Sequence, residues 1–490
     1  MKKLCLLLNM LAWVLCAFAQ DITVKGRVTH AATNAALEGI AVQVKGTNRG
    51  TTTGPDGSYT VQAPAKGTLI FSGVGFAPLE QSVAGNTSLD VQLSEVVNEL
   101  NNVVVTALGI QRQAKTLTYA TQKIDGDRIN EVRDGNFLNT LSGKVAGAVI
   151  TQTGAGVGGA SRIVLRGNRP IAGNNNALIV MDGIPINNTV KGQPTNDFGG
   201  YAGSDAAANI NPDDIENINI LKGPAAAALY GSQAANGVII ITTKKGKAGR
   251  IQASANIGAT VDRPFILPTL QNEYVQGANG VAGAAQGSWG PKGTTYPDNV
   301  KSVYRNALST NASVGFTAGT DKVKTYFSYA FVNQQGIMPK NELFRHTINL
   351  RVSTDITPKL SIDSRITYVN QDIKNQLKSG EEGSHVMNII KIPRSISQQT
   401  LNDYEEFDAQ GQPVPKYWTS SSLYMNPYWT INRTSVNELR NRIIGLISAK
   451  YKLTSWLDVQ ARVNVDRYND FNDRTFWNNT LLFAGNGGSY

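Results

Sequence analysis

The chain has 490 residues, enough for two or three domains, and 48 glycines against only 17% charged residues, a balance that suits turn-rich β structure better than helical bundles. Its formal net charge of +10 raises nucleic acid as a partner. The densest basic cluster, Lys244, Lys245, Lys247 and Arg250, lacks the interleaved aromatics of a nucleic-acid groove, so no nucleic-acid partner is expected.

Residues 1–19 read as a secretory signal: Lys2 and Lys3 precede an apolar run from Leu4 to Phe18, closed by Ala17-Phe18-Ala19. The run is too short for a transmembrane span. A lipoprotein reading through Cys16 is poor, because Leu15 stands where a small residue is wanted. Both cysteines, Cys5 and Cys16, fall in this leader, which argues against a disulfide scaffold, thiol catalysis and cysteine-ligated zinc in the mature chain. No later run reaches the roughly 18 apolar residues of a membrane helix, so entry into a membrane requires a β-barrel.

Residues 20–95 read as a small β-sandwich. The short strands "ITVKGRV", "GIAVQVKG", "GSYTVQA", "GTLIFSG" and "LDVQL" are separated by turn signals such as Gly54-Pro55-Asp56-Gly57. The pattern "GTTTGPDGSYTV" resembles carboxypeptidase-regulatory-like domains. Residues 96–120 form a connector holding the β-branched run Val103 to Thr106, a short strand-former whose exposed backbone suits β-augmentation.

Residues 121–247 mix helices and strands, as expected of a compact α/β domain. "NFLNTLSGKV" predicts a helix with Phe137, Leu138, Leu141 and Val145 on one face. Strand-like "GAVITQ", "SRIVLRG" and "NALIVMDGIPI" follow, the last with an Asp182-Gly183 turn. In "NPDDIENI" Asn211 is a candidate N-cap, with Pro212 at the first helical position and Asp213 and Asp214 at the positive end of the dipole. "GPAAAALYG" predicts a short helix opened by Pro224 and closed by Gly231. Val238 to Thr243 is expected to be a strand buried on both faces.

From residue 248 to 490 the apolar period becomes two, as in Val314, Phe316, Ala318 and again in Ile348, Leu350, Val352. Seven or eight strands of nine to twelve residues are legible. Short turns such as Asp355 to Lys359 alternate with long polar stretches such as Asn370 to Asn437. This is the pattern of a transmembrane β-barrel, whose tilted strands need about ten residues each.

No catalytic or cofactor constellation emerges. Gly154-Ala155-Gly156-Val157-Gly158-Gly159 satisfies G-x-G-x-x-G, with Asp182 near the spacing of a ribose-binding acid, but "ASRIVLRG" follows as a strand where the fingerprint needs a helix. These glycines are read as a flexible loop. His30, His346 and His385 are isolated, so no metal site is expected. Asp213/Asp214 and Glu381/Glu382 read as helix capping and a solvated loop. No cofactor and no enzymatic activity are expected. A surface adhesin or structural outer-membrane β protein remains the alternative, and a secreted enzyme a weaker one.

The order of parts, signal, sandwich, connector, α/β domain and barrel, resembles the SusC/RagA branch of TonB-dependent outer-membrane transporters. The signature lies in "INPDDIENINILKGPAAAALYGSQAANGVIIITTKKGK", with Asn211, Pro212, Asp213, Asp214, Gly223, Tyr230, Gly231, Asn236 and Gly237 at the matching positions. "LSGKVAGAVITQTGA", "RIVLRG" and "ALIVMDGIPI" match further motifs in order. The resemblance implies that residues 121–247 are a plug inside an outer-membrane barrel of a Gram-negative cell, with sandwich and plug on the periplasmic side. It implies that Val103, Val104, Val105, Thr106 and Ala107 form the TonB box, and that partners are TonB, a SusD-like surface lipoprotein and outer-membrane lipid. Its imported substrate would be an oligosaccharide or a peptide.

A lumen wide enough for such a plug needs about 22 strands. Only about 240 residues follow residue 247. The expectation is therefore that residues 248–490 supply the N-terminal part of a 22-stranded barrel, and that the chain is the first portion of a protein about twice as long.

Overall fold

The computed structural model describes residues 21–31, 33–94, 103–105, 111–113, 121–131, 134–168, 175–188, 200–380, 384–419, 424–482 and 485–486. The predicted signal, Thr106, Ala107 and the Glu381/Glu382 pair lie outside them. The chain divides into two compact units, residues 1–102 and 103–490.

The first unit is a sandwich of seven strands: β1 (Asp21–His30), β2 (Ala41–Val44), β3 (Gly50–Thr52), β4 (Ser58–Pro64), β5 (Thr68–Gly73), β6 (Phe76–Ser82) and β7 (Val91–Leu93). One sheet has the order β4-β1-β7, the other β3-β2-β5-β6. In β4 the period of two sends Tyr59, Val61 and Ala63 inward and their neighbours to solvent. The two inner faces meet around Val24, Val28, Val42, Leu69 and Phe71. The Tyr59 hydroxyl resolves its own burial by donating to the Leu89 carbonyl at 2.8 Å.

The second unit opens with a small hairpin, β8 (Val103–Val105) against β9 (Gln111–Gln113), pairing Val104 with Arg112. The connector strand is therefore paired along one edge, where the sequence suggested a free one. Next comes β10 (Thr121–Asp125), then β11 (Ala148–Gln152) and β12 (Ser161–Leu165), which form a hairpin of their own. β13 (Leu178–Met181) and β14 (Ile184–Pro185) flank a tight turn in which Asp182 and Gly183 both have positive φ, 50° and 87°, as a type I′ hairpin requires. β15 (Gly200–Tyr201), β16 (Ile215–Leu221) and β17 (Val238–Thr243) complete this part.

The central sheet has the order β10-β16-β17-β13-β14. β17 lies in its middle, parallel to β13 and antiparallel to β16. Val238 to Ile241 are fully buried, so this β-branched strand is covered on both faces. The predicted helix at "NFLNTLSGKV" is only Phe137–Thr140. Gly143 at φ 74° belongs to the turns after it, yet Phe137, Leu138, Leu141 and Val145 are all buried as the helical period implied. A seven-residue helix, Pro224–Tyr230, ends at Gly231 with φ 74°.

The rest of the unit is one antiparallel wall. It begins with β18 (Gly249–Asp262); β19 (Gly277–Ala278) and β20 (Val281–Ala282) form a minor hairpin above it. The wall continues with β21 (Ala307–Gly319), β22 (Val323–Gln335), β23 (Glu342–Asp355) and β24 (Leu360–Lys374). After β25 (Lys378–Ser379), β26 (Glu405–Phe407) and β27 (Pro413–Pro415), it ends with β28 (Thr434–Lys452) and β29 (Asp458–Phe476). The seven long strands pair in the order β18-β21-β22-β23-β24-β28-β29, an open sheet with β18 and β29 at its edges. They run 13 to 19 residues, longer than the nine to twelve legible in the sequence, because polar residues at both ends extend the pairing past the apolar centre. Val314, Phe316, Ile348, Leu350, Ile366, Ile443 and Val463 point away from the plug and are exposed. An apolar outer face over a polar inner one is the pattern of a barrel wall. Among the described residues no helix is long and apolar enough to cross a membrane.

The stretch Asn370 to Asn437, read in sequence as a long polar loop, is largely folded. Helices His385–Ile390, Gln398–Asn402 and Pro427–Arg433 pack with residues 300–304 around Val300, Val303, Ile389, Ile392, Leu401 and Ile431.

Candidate functional site

Among the described residues, three groups of buried polar side chains built on plug carboxylates fasten the plug sheet to the wall. The first centres on Asp182 at the tip of the β13–β14 hairpin. Its Oδ2 accepts from Arg365 Nη1, from Arg351 Nη1 at 3.3 Å and from Thr243 Oγ1 at 2.7 Å, and its Oδ1 accepts from the Thr243 amide at 3.0 Å. Arg351 in turn grips Asp363 through Nε at 3.0 Å and Nη2 at 2.5 Å. The side chains of Arg351, Arg365 and Asp182 are 2%, 2% and 5% exposed, so the cluster works in a dry setting where charge pairing is strong and an unpaired charge costly. Burial alone would raise the Asp182 carboxyl, but Arg365, Arg351 and Thr243 together hold it below the ordinary carboxylate range.

The second group uses the signature acids. Asn211 does cap, its Oδ1 accepting from the Asp213 amide at 3.2 Å, but it caps a single 3-10 turn, Pro212–Asp214, and not a helix. Asp213 and Asp214 therefore meet no helix dipole, and the capping role assigned to them from sequence is corrected. They are pins into the wall: Asp213 accepts from Ser313 Oγ at 2.6 Å and Asn256 Nδ2 at 3.2 Å, and Asp214 from the Tyr326 hydroxyl at 2.9 Å. Burial pushes the Asp214 carboxyl up.

The third group surrounds Asp205. Its carboxylate accepts from the Ser161 amide at 2.6 Å, the Ala208 amide at 2.7 Å and Asn136 Nδ2 at 2.9 Å, yet burial still raises it. From the wall, Arg440 Nη1 reaches the Asp205 carbonyl at 3.3 Å and Arg442 Nη1 the Ala206 carbonyl at 3.2 Å. Both arginines are held by paired hydrogen bonds to Asp470 and Asp466 on β29. Arg345 adds a bond from Nη2 to the Gly135 carbonyl at 2.8 Å. All five arginines sit at the inward parity of β23, β24 or β28. At these five arginines the wall donates and the plug accepts, whereas at Glu438 the Ser204 amide and hydroxyl of the plug donate to a carboxylate of the wall.

Above these contacts, at the end of the wall opposite the short turns, lies a cleft of about 590 Å³. The plug contributes Asn136, Asn139, Gly154 and Gly156 to Gly159; the wall and its loops contribute Asp262 to Leu267, Tyr304, Gln334 to Met338 and Asn341. The lining mixes the amides of Asn136, Asn139, Gln334 and Gln335 with apolar surface from Ile266, Leu267, Ile337 and Met338, and Tyr304 and Phe265 add aromatic surfaces.

The other signature residues build the opposite end of the plug. Gly223 has φ 82° and Gly231 φ 74° at the two ends of the helix Pro224–Tyr230. Tyr230 packs partly buried with Leu229 against Val180, Leu221 and Ala226. Gly237, at φ 99°, passes so close that a Cβ would lie 2.7 Å from Leu165 Cδ1. Asn236 is half-buried beside it. None of these reaches the cleft. Val103, Val104 and Val105 lie in the β8–β9 hairpin. His30, His346 and His385 fall in separate places, and among the described residues no group of His, Cys, Asp or Glu could hold a metal ion.

Sequence reasoning missed Asp182 as a contact, and it missed Asp205, the wall arginines and Asn341. One signal was present: arginines at alternating positions, in "NLRVSTD", "DSRITY" and "ELRNRII", share a parity opposite to the apolar residues, and a charge inside a barrel calls for a partner there.

Comparison with known proteins bears on this arrangement directly. Residues 113–238 match the TonB-dependent Receptor Plug Domain and residues 24–105 the CarboxypepD_reg-like domain. A TonB-dependent receptor of Formosa agariphila is 29% identical over 472 residues, covering 94% of this chain and 44% of the relative. The TonB-dependent receptor SusC of Bacteroides thetaiotaomicron is 30% identical over 465 residues, 92% of this chain and 43% of SusC. The chain belongs to the SusC-like TonB-dependent receptors. In this family the five-stranded unit is the plug and the long sheet a stretch of the barrel, not closed within this chain. The RagAB peptide importer in its closed-closed state has the same fold, with a TM-score of 0.56 at 18% identity, covering 75% of this chain and 42% of that one. The chain spans less than half the length of the curated relatives it matches.

Proposed function

We propose that this chain supplies the periplasmic sandwich, the connector, the plug and the first barrel strands of an energy-coupled importer in the outer membrane. The observation that carries the reading is the placement of the plug: a covered sheet held against the inner face of a barrel wall by buried, directional contacts. Such a plug closes a pore but leaves one strand removable. β10 pairs with β16 alone at the sheet edge, and it follows the valine connector in the chain.

Val103 to Ala107 serve as the TonB box in this reading. Strand pairing with TonB resists shear along the strand, so a pull on the connector reaches β10 first. In the described hairpin β8 has one edge taken by β9 and offers the other to a partner. The cleft above the plug receives the cargo, an oligosaccharide or a peptide, both of which suit its mixed amide and apolar lining and its aromatic faces; RagAB, of like fold, is a peptide importer. A SusD-like surface lipoprotein covers the outer mouth. No step in import requires bond making, so the chain acts as a transporter and not as an enzyme.

The test is uptake by the full-length protein with Val103 to Thr106 replaced by proline and glycine. Energised uptake is expected to fall to the level of a strain lacking the protein. Unchanged uptake would remove the TonB-box assignment.

A further inference from the structure

The glycine run Gly154 to Gly159 finds no use in a nucleotide fingerprint, and in the folded chain it is not slack. It packs around one side chain of the wall. The Val157 amide donates to Asn341 Oδ1 at 2.8 Å, and Asn341 Nδ2 donates to the carbonyls of Lys374 at 3.2 Å and Asn375 at 3.1 Å. Asn341 is completely buried. A Cβ on Gly156, where φ is 81°, would lie 2.2 Å from Asn341 Oδ1, and one on Gly158 would lie 2.6 Å from Ile373 Cδ1. Gly336 approaches the same amide, where a Cβ would lie 2.6 Å from Oδ1. The Leu377 amide closes the contact by donating to the Ala155 carbonyl at 3.1 Å. The glycines are thus required by close approach to the wall, which corrects their reading as a flexible loop.

Three separate segments therefore meet at one amide: the plug loop, the turn between β22 and β23, and the end of β24. Residues of the first two, and Leu377 just after β24, line the outer cleft. We infer that Asn341 is a positioning residue for import, fixing the plug's glycine loop as a preformed wall of the cleft. The inference rests on the reading of that cleft as the cargo site. A loop ordered in advance spares the ligand the entropy of ordering it, so freeing the loop weakens capture. The pull that completes import acts at the other end of the plug, through β10. Loss of the Asn341 contact accordingly changes the concentration at which uptake half-saturates and leaves the maximal rate alone.

The experiment uses the full-length protein in outer membranes, with Gly154→Cys as a reporter. Gly154 is exposed and its nearest neighbour to a built Cβ is Ser379 Cβ at 3.9 Å, so the substitution leaves the loop undisturbed. Asn341→Ala is expected to raise the maleimide modification rate there about tenfold, the equivalent of one lost buried hydrogen bond. A second reporter, Ser232→Cys at the far end of the plug, should not respond. With a labelled oligopeptide or a labelled oligosaccharide as the probe, whichever the parent protein takes up, the KM for uptake should rise by about the same factor with kcat unchanged. Gly156→Ala, which presses on the contact from the plug side, should reproduce both effects if Asn341→Ala fails to assemble. An unresponsive Gly154→Cys reporter in both variants overturns the inference, and so does a freed loop with an unchanged KM. Absence of saturable uptake by the parent protein overturns the cargo-site reading itself and the inference with it, whereas the labelling rates report on the Asn341 contact in either case.

Discussion

Asp182→Ala is expected to destabilise the seating of the plug by about 3–5 kcal/mol, the usual cost of stranding a buried charge by removing its partner. Two guanidinium groups depend on this carboxylate. Among the described residues Arg365 forms an ion pair with no other acid, whereas Arg351 keeps Asp363. The loss should appear as faster hydrogen exchange at Val238 to Thr243 in the full-length protein, because Thr243 bonds both to Asp182 and to Arg351. Adding Arg365→Met to Asp182→Ala should recover part of the stability, since the second change removes the stranded charge. Additive losses in the double variant would mean that the two side chains do not act on each other.

Acidity separates this contact from its neighbours. Asp182 has a carboxyl held below its ordinary value, so its contribution is present above that value and fades only as pH falls through the lower, folded one. Asp205 and Asp214 are raised by burial, so their contribution is full below the ordinary carboxylate range and is lost as pH rises through their raised values. Mild acidification from neutral pH is therefore expected to hold or tighten the seating, and Asp205→Asn with Asp214→Asn to remove that response. Protection factors at β17, corrected for the slowing of intrinsic amide exchange in acid, that drop as pH is lowered from neutral would contradict this sign.

A disulfide between Lys123→Cys and Asn219→Cys should abolish uptake when oxidised and restore it on reduction. The two positions are direct partners across β10 and β16, where opposed Cβ atoms stand about 4.5–5.5 Å apart, close to disulfide reach. The two native cysteines, Cys5 and Cys16, both lie in the predicted leader, so the engineered pair meets no competitor in residues 21–490. β10 is a five-residue edge strand of the plug sheet, while the segments around β13, β16 and β17 carry the buried contacts to the wall. Full uptake with the disulfide formed would show that β10 stays paired throughout import, and would move the yielding element elsewhere.

Much of the architecture was legible because it follows from periodicity. The alternation in Ser58–Pro64 and the β-branched run at Val238 announced strands of different burial, and the Asp182-Gly183 pair announced its hairpin through the positive φ that type I′ turns need. The apolar spacing at Phe137 predicts a longer helix than the one that forms, because spacing reports which residues are buried, and here a four-residue helix with turns after it buries the same four side chains. The fold within Asn370 to Asn437 stayed hidden for a related reason: its core joins Leu401 and Ile431 to Val300 and Val303, about a hundred residues earlier in the chain, and no local pattern records such a meeting. The candidate site was the least legible part. Asp213 and Asp214 looked like helix caps because the cap signal is local, whereas Ser313, Asn256 and Tyr326 lie between 43 and 112 residues away. The glycines around Val157 invited a nucleotide reading because small size serves any close approach, and only the wall shows that the visitor is Asn341.

The most direct test of the central claim, that a partner pulls the plug through the valine connector, is the binding of the periplasmic domain of TonB to the full-length protein. Saturable binding is predicted, lost when Val103 to Thr106 are replaced by proline and glycine. It should be kept or strengthened when Gln111 to Gln113 are replaced by proline, since that change frees the second edge of β8. Binding that survives replacement of the valines, or that needs Gln111 to Gln113 in their place, would contradict the account.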